Sequence, residues 1–281
     1  MSGRLTPATV LARVVTWTAA IGFSVPIYLL IVISLKTPEQ IANDPFGLPL
    51  QPQWDNYVQA WQKSAGTGTA SLGQSLANSI LITGSAVIIL ILVGALAGYY
   101  LGRRRSRLST AVYLACLAGI TIPIQLVVLP LYTVFDQLGL LGNPIAVIAF
   151  YSGFLAPFST FLFTGFVRGI PEDFDEAARL DGASWFQTFF LVILPLLRPV
   201  ISTVAILTAV AVWNDFFGQL VLLLGSGNET LPLTVFTFSG QYATQYNLLT
   251  AGLVIAVIPI AVFYLLLQRQ IVAGFSTGVK G

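Results

Sequence analysis

Several carboxylates lie close together in one short segment of the sequence, where they could transfer protons. Asp173, Asp175 and Glu176 lie within PEDFDEAARLDG, residues 171–182. Pro171 suits the first turn of a helix, and acidic side chains suit its positive end. We therefore interpret these three carboxylates as groups that stabilise a helix start, and not as general acids or bases.

Residue types needed for several other chemistries are missing. The chain of 281 residues has no histidine and one cysteine, Cys116. This excludes Cys/His zinc sites, Ser–His or Cys–His catalysis and an intrachain disulfide. No Gly-x-x-x-x-Gly-Lys-[Ser/Thr] sequence occurs, so there is no P-loop for ATP. We expect no catalytic residue, no metal ligand and no cofactor bound by this chain.

The composition is that of a membrane protein. Hydrophobic residues make up 56% of the chain and charged residues only 9%, against about 25% charged in soluble domains. A membrane-spanning helix needs about 20 mainly apolar residues. Six runs qualify: 11–34, 75–101, 109–132, 144–167, 200–224 and 248–268. The predicted fold class is an all-α polytopic membrane protein, one transmembrane domain over 1–281 with a polar loop over 168–199.

Basic residues predict the orientation of these spans. If the N-terminus is inside, only Lys36 and Lys63 of the thirteen Lys and Arg residues face outward, as the positive-inside rule requires. Both termini are then cytoplasmic, and the first run is an uncleaved span. We interpret the RRRSR cluster at 103–107 as a determinant of this topology, with binding of anionic lipid or nucleic acid as the alternative.

The polar loop over 168–199 divides into two short helices. Gly182 permits the positive φ that ends the first helix, and Ser184 with Gln187 forms an S-x-x-Q capping box for the second. Two apolar surfaces are expected, one from Phe174, Ala177, Ala178 and Leu180 and one from Trp185, Phe186, Phe189 and Phe190. Such a pair could dock in a groove of a partner protein or lie on the lipid surface.

Residues 176–195, EAARLDGASWFQTFFLVILP, resemble the EAA loop of ATP-binding-cassette importer permeases. That pattern is EAA, three residues, Gly, nine residues, a large aliphatic residue, one residue, then Leu-Pro. Glu176-Ala177-Ala178, Gly182, Val192 and Leu194-Pro195 stand in register, with Val192 in place of the usual isoleucine. SLKTPEQI at 34–41, VWNDFFGQL at 212–220 and QRQIVAGFSTGVKG at 268–281 are similar to the second permease of maltose-type carbohydrate importers.

This resemblance implies a function and a set of partners. The chain would be a permease of the prokaryotic inner membrane that carries a carbohydrate or carbohydrate derivative by alternating access. Its partners would be a second homologous permease, two cytoplasmic ATPase subunits that bind ATP and Mg, and an extracytoplasmic solute-binding protein. The tail over 268–281 would be a second contact with the ATPase. The implied docking residues are Glu176, Ala177, Ala178, Asp181, Gly182, Ala183, Trp185 and Phe186.

Asn214 and Asp215 form a strongly polar pair inside a predicted span. If the fifth helix starts near Val200, Asp215 lies about 22 Å along it, and an intramembrane carboxylate indicates function. It could line the solute path or brace a gate between two permeases. Alternatively, the span starts near Phe189 and Asp215 lies at its outer end. Gln125, Tyr151 and Asn214 could supply the neutral donors, acceptors and aromatic faces of a sugar path.

Two other function classes compete with the importer. A secondary transporter driven by an ion gradient would need a carboxylate or a broken helix near the middle of the membrane. Asp215 is the candidate carboxylate, but no inverted repeat is visible. A membrane enzyme would need a clustered acid–base pair, which the predicted spans lack.

Overall fold

The computed structural model describes residues 7–62, 70–104, 106–241 and 245–278. Side chains are described over these ranges except at 7–9, 237–241 and 266–278. These residues form helices and turns without a β-strand, which confirms the all-α fold class. Several residues used in the charge and tail predictions lie outside the description, namely Arg4, Lys63, Arg105 and 279–281.

Fourteen α-helices and one π-helical segment make up the described chain. In chain order they are α1 (Pro7–Ser34), α2 (Pro38–Asn43), α3 (Asp55–Gln62), α4 (Leu72–Arg103), α5 (Arg107–Ile120), α6 (Ile124–Gln137), α7 (Pro144–Arg168), α8 (Asp173–Leu180), α9 (Trp185–Gln187), the π-helical segment (Thr188–Ile193), α10 (Leu194–Leu196), α11 (Arg198–Asn214), α12 (Phe217–Leu223), α13 (Leu231–Gln241) and α14 (Tyr246–Gly278).

Among the described residues, four helices are long and apolar enough to cross a membrane. They are Val10–Ser34 of α1, all of α4 and α7, and Tyr246–Leu265 of α14. Two bent pairs raise the number to six if each pair forms one span. One pair is α5 with α6, bent by 99°, and the other is Trp185–Leu196 with α11, bent by 76°. The exact placement of six spans stays a prediction.

Two of the six apolar runs are interrupted where the backbone cannot continue a helix. The run 109–132 breaks after Ile120, because Pro123 lacks an N–H and disfavours helical geometry in the residue before it. The run 200–224 contains most of α11 and all of α12. These two helices are separated at Asp215, whose backbone is extended (φ −67°, ψ 126°). The expected single helix over 200–224 is therefore two helices.

The chain divides into two compact units, one made of 1–63 with 235–257 and the other of 64–234 with 258–281. In the first unit, buried Asn56 joins three chain segments. Its Nδ2 donates to the carbonyls of Ser34 (2.9 Å) and Lys36 (3.0 Å), and its Oδ1 accepts from Nδ2 of Asn247 (2.8 Å). This division does not test whether residues 1–281 form one transmembrane domain, which stays a prediction.

In the second unit, α4 and α7 approach closely because small residues lie where they meet. A Cβ added at Gly94 would lie 2.0 Å from Oγ of Ser159, and one at Gly98 would lie 2.5 Å from Cβ of Phe163. Ser159 Oγ also donates to the carbonyl of Leu90 on α4, at 2.7 Å. Small residues at a helix contact are a common means of association between membrane helices. The pair forms the support for the site described next.

We expect Gly98→Ala to weaken the contact between α4 and α7 by about 1–3 kcal/mol, because the added methyl overpacks it. Gly165→Ala on α7 is the matched control, since nothing lies within 4 Å of its Cβ position. Thermal unfolding in detergent should show a lower midpoint for Gly98→Ala and an unchanged or higher one for Gly165→Ala. Equal midpoints for the two variants would show that the contact tolerates a methyl group.

Candidate functional site

The segment over 168–199 bends at Gly182, directly after α8. The amide of Ala183 donates to the carbonyl of Ala178 (2.9 Å), and the amide of Gly182 donates to that of Arg179 (3.0 Å). These two bonds form a Schellman motif. Gly182 has φ +81°, a conformation that glycine adopts without steric cost. The bend predicted from the sequence is therefore present.

A second helical run starts two residues after the bend. The amide of Ser184 donates to Oε1 of Gln187 (2.8 Å), and the amide of Gln187 donates to Oγ of Ser184 (3.4 Å), which is the predicted capping box. The run passes from α9 into the π-helical segment and α10. Pro195 cannot donate to the carbonyl of Leu191, which is consistent with the wider turn before it.

Asp175 fastens α8 to the end of α4. Its Oδ2 lies 2.8 Å from Nη2 of Arg103, an ion pair without hydrogen-bond alignment, and its Oδ1 accepts from the hydroxyl of Tyr99. The side chains of Arg103 and Asp175 are only 13% and 5% exposed. Arg103 also donates to the carbonyls of Val167 (3.0 Å) and Ile170 (2.8 Å), at the end of α7. One arginine therefore connects α4, α7 and α8.

This pair bears on two interpretations of the sequence. Asp175 lies in the first turn of α8 as expected. Its buried side chain also binds Arg103 and Tyr99 of α4, so it does more than stabilise the helix end. Arg103 belongs to the cluster interpreted as a topology determinant, which stays a prediction, and its largely buried side chain also binds Asp175. Asp175 and Ala178 both lie on the buried side of α8. Their spacing of three residues was the signal in the sequence that could have indicated this side.

Aromatic stacking joins the second helical run to the same point on α4. The ring centroid of Tyr99 lies 5.1 Å from that of Trp185 and 5.5 Å from that of Phe189. Trp185 and Phe189 are stacked at 6.1 Å with their planes 9° apart. Each such pair stabilises a contact by about 0.5–1.5 kcal/mol beyond its buried area. Both helical pieces of the segment thus rest on Tyr99.

The outer side of the segment exposes apolar side chains. Leu180 is 88% exposed and Phe186 is 61% exposed, whereas Ala178 is 8% exposed. Ala178 was expected on one apolar face with Phe174, Ala177 and Leu180, but it is buried while those three are exposed, because the helical period turns it toward the protein. Of the predicted docking residues, those exposed are Glu176, Ala177, Asp181, Gly182, Trp185 and Phe186, while Ala183 is half-buried.

A second polar site lies at the break between α11 and α12. Oδ2 of Asp215 accepts from the hydroxyl of Tyr151 (2.6 Å) and from the amide of Gly218 (2.9 Å). A Cβ at Gly218 would lie 2.7 Å from that oxygen, so the short distance requires glycine. Tyr151 and Asp215, together with Ile124, help to line a recess of about 290 Å³. Two of the four predicted pathway residues are therefore in contact.

The other two pathway candidates lie apart from this contact. Asn214 is exposed, and its Nδ2 donates to the carbonyl of Val210 within α11, at 3.0 Å. Gln125 is exposed on the first turn of α6, next to Ile124. Nearby, Gln219 is buried and donates to the carbonyl of Val212 at 2.9 Å. Gln219 was not among the predicted pathway residues, although its position in a short helix between apolar residues could have indicated it.

Comparisons with known proteins identify relatives of the whole chain. A family model described as "Binding-protein-dependent transport system inner membrane component" matches residues 90–276. The chain is 33% identical to the melibiose/raffinose/stachyose import permease protein MelC of Bacillus subtilis (strain 168), over 96% of this chain and 97% of that protein. It is also 33% identical to the probable starch degradation products transport system permease protein AmyC of Thermoanaerobacterium thermosulfurigenes, over 90% of each.

A solved structure has the same fold over nearly the same length. It belongs to a bacterial ABC transporter involved in the import of the acidic polysaccharide alginate. The TM-score is 0.78 at 22% identity, and the match covers 96% of this chain and 98% of that one.

We expect Asp175→Asn to loosen the segment from α4, because Arg103 would remain largely buried without its counter-charge. Breaking a buried ion pair in this way costs about 3 kcal/mol or more. Hydrogen exchange of the amides over 173–190 should become faster, while amides in the middle of α4 keep their rates. Asp173→Asn is the control, since Asp173 lies in the same first turn of α8 as Asp175 but is exposed. Equal exchange in the two variants would mean that the pair does not hold α8.

Proposed function

Because the chain belongs to the family of binding-protein-dependent transport system inner membrane components, we propose that it forms, with a second homologous permease, a path for a carbohydrate or carbohydrate derivative. The chain is the permease subunit of an ATP-driven importer and an integral protein of the inner membrane; the ATPase of such an importer is a separate subunit. Family membership favours this function over an ion-driven transporter and over a membrane enzyme.

The substrate class is inferred from the relatives. The names of three of them specify melibiose, raffinose and stachyose, starch degradation products, and diacetylchitobiose. These are oligosaccharides or their derivatives, and each match extends over at least 90% of this chain. We therefore assign this chain to the same substrate class. A solute-binding protein outside the membrane would present the substrate, as in the alginate transporter solved with a pentasaccharide-bound periplasmic protein.

The bend at Gly182 is proposed as the docking site for a cytoplasmic ATPase subunit. Support comes from its exposed apolar side chains, Leu180 and Phe186, which project from a segment otherwise fastened to the protein. A helix pair with such a surface fits a groove in a partner. Two ATPase subunits carrying ATP and Mg would serve the two permeases. Both termini of this chain would then lie on the cytoplasmic side, together with the arginines at 103–107.

The main support for this proposal is that the segment on both sides of the bend is attached to α4. Asp175 and Trp185 lie on opposite sides of Gly182, and both contact Tyr99 of α4. A force on the bend therefore reaches α4 directly, and it reaches α7 through the carbonyls bound by Arg103. Closure of the ATPase pair would thus move the two helices together, as alternating access requires.

Tyr151 and Asp215 are proposed to shape the wall of the solute path. Asp215 fixes the start of α12 through the amide of Gly218, and Tyr151 connects this break to α7. Gln125 and Asn214 are proposed as further polar groups of the path, which agrees with their exposure. On this account the carboxylate holds backbone in place and is not a site for a coupling ion.

We expect Gly182→Pro to abolish ATP-coupled uptake, because proline fixes φ near −65° and removes the amide that donates to Arg179. Glu176→Lys should have the same effect by reversing a charge on the docking surface. Uptake of labelled oligosaccharide and the amount of chain in the membrane are measured together. Normal uptake in either variant would contradict the docking proposal.

Gly139→Pro is the matched control for the bend. Gly139 also follows a helix, has φ +65° and donates its amide to a helix-end carbonyl, that of Asp136 (2.9 Å). It lies in the loop between α6 and α7 and not in the segment over 168–199 that contains the proposed docking site. Retention of the ATPase subunits during purification should be lost in Gly182→Pro and kept in Gly139→Pro.

We expect Asp215→Asn to keep most uptake and Asp215→Leu to reduce it about tenfold or more. The Tyr151 hydroxyl and the Gly218 amide both donate to the same carboxylate oxygen, Oδ2 of Asp215, and the side-chain oxygen of asparagine can accept both bonds in its place. Leucine would leave two donors unsatisfied, at about 1–3 kcal/mol each. If Asp215→Asn is as inactive as Asp215→Leu, the negative charge itself is needed, and an ion-coupled role for Asp215 would replace this proposal.

A further inference from the structure

A basic cavity lies where three helices end at the same face of the second unit. Its volume is about 690 Å³, and it is lined by the end of α4, the start of α5 and the end of α7. Arg104, Arg107 and Arg168 come from these three places, and all three are exposed. Pockets of this size commonly hold small ligands. Its charge favours an anion.

Tyrosine rings hold two of these arginines. The guanidinium of Arg168 lies 4.5 Å from the ring centroid of Tyr113. The guanidinium of Arg104 lies 5.4 Å from the ring centroid of Tyr100, and its Nη1 donates to the Tyr100 hydroxyl at 2.6 Å. Within the described part of the chain, Arg107 makes no hydrogen bond or ion pair. Tyrosine and arginine at the ends of spanning helices mark the membrane–water interface.

Further donors converge on the cavity from the start of α5. Ser106 caps this helix by accepting from the amide of Ser109 (3.1 Å), and both hydroxyls line the cavity with that of Thr110. The positive end of a 14-residue helix adds to the attraction for an anion. Arg103 also lines the cavity but is engaged by Asp175. One carboxylate, Glu172, is present, so the arginines exceed the acidic groups.

Apolar side chains adjoin the same site. Leu108 is 71% exposed, and Val112, one turn further along α5, is also exposed. Residues four apart share a helix face. A ligand here would therefore meet arginines and hydroxyls at one end and an apolar strip at the other. A soluble phosphate would contact only the arginines and hydroxyls. An acidic protein segment would make no favourable contact with the apolar strip, because the strip belongs to an apolar predicted span.

We propose that this cavity binds the phosphate group of an anionic phospholipid, whose acyl chains lie along Leu108 and Val112. Arg107 and Arg168 bind the phosphate, Arg104 contributes charge, and the hydroxyls of Ser106 and Thr110 donate to the headgroup. Basic pockets between membrane helices suit such headgroups. The site requires only that α4, α5 and α7 end at the interface, so it is independent of the docking proposal at Gly182.

The test uses the complete transporter purified in a neutral detergent. Thermal unfolding is followed while phosphatidylglycerol or phosphatidylcholine is added, and bound lipid is counted by native mass spectrometry. We expect phosphatidylglycerol to stabilise the wild type more than phosphatidylcholine does. In R107Q/R168Q its affinity should fall roughly 30-fold, because each arginine near the headgroups contributes about fivefold. R13Q/R198Q removes the same charge from two exposed arginines outside the cavity and should bind phosphatidylglycerol normally.

Three results would overturn this proposal. One is equal stabilisation of the wild type by both lipids. Another is an equal loss of phosphatidylglycerol binding in the two double variants, which would indicate a general charge effect. The third is stabilisation by inorganic phosphate at the level of phosphatidylglycerol, which would indicate a site for a soluble anion. ATP-coupled uptake measured on the same samples separates failure of the lipid site from failure of the importer function.

Discussion

A buried ion pair between Arg103 and Asp175 is the interaction on which the proposed coupling depends. It joins the end of α4 to the first turn of α8, and the same guanidinium binds carbonyls at the end of α7. Removing two charges from water is costly, and their attraction offsets this cost only when both are well bonded. Tyr99 supplies the further hydrogen bond to Asp175. The segment over 168–199, which we propose as the docking segment for the ATPase, is therefore fixed at the ends of α4 and α7.

The helices above this anchor combine close packing with breaks. Glycine and serine bring α4 and α7 together, so these two can move as a unit. By contrast, the apolar runs 109–132 and 200–224 are interrupted at Pro123 and at Asp215, where hydrogen bonds from or to side chains replace those of a continuous helix. Irregular backbone inside a membrane is tolerated where it is covered by protein or lines a path. The break at Asp215 helps to line a recess, and it would meet the second condition on the proposed path.

Features specified by neighbouring residues could be predicted from the sequence. Gly182 and the Ser184–Gln187 capping box both act within a few residues, and both are present in the structure. Hydrophobic runs likewise predicted an all-α fold. The pair of Tyr99 with Asp175 could not be predicted this way, because the two are 76 positions apart and meet only when α4 and α7 pack. The break at Asp215 was also missed, since its hydrogen bond to Tyr151 replaces the helical continuation that the apolar run favoured.

If ATPase closure is transmitted as proposed, the docking segment moves as one body with α4 and α7. The distance between segment and helix can be measured with two spin labels. The labels are attached to cysteines introduced at Arg179 of α8 and Gly153 of α7, which are both exposed, and Cys116 is replaced by serine. We predict the same distance in the nucleotide-free transporter and in the ATP-bound, closed transporter. A shift of one helical turn, about 5.4 Å, or more between the two states would contradict the claim, because the segment would then move without the helices.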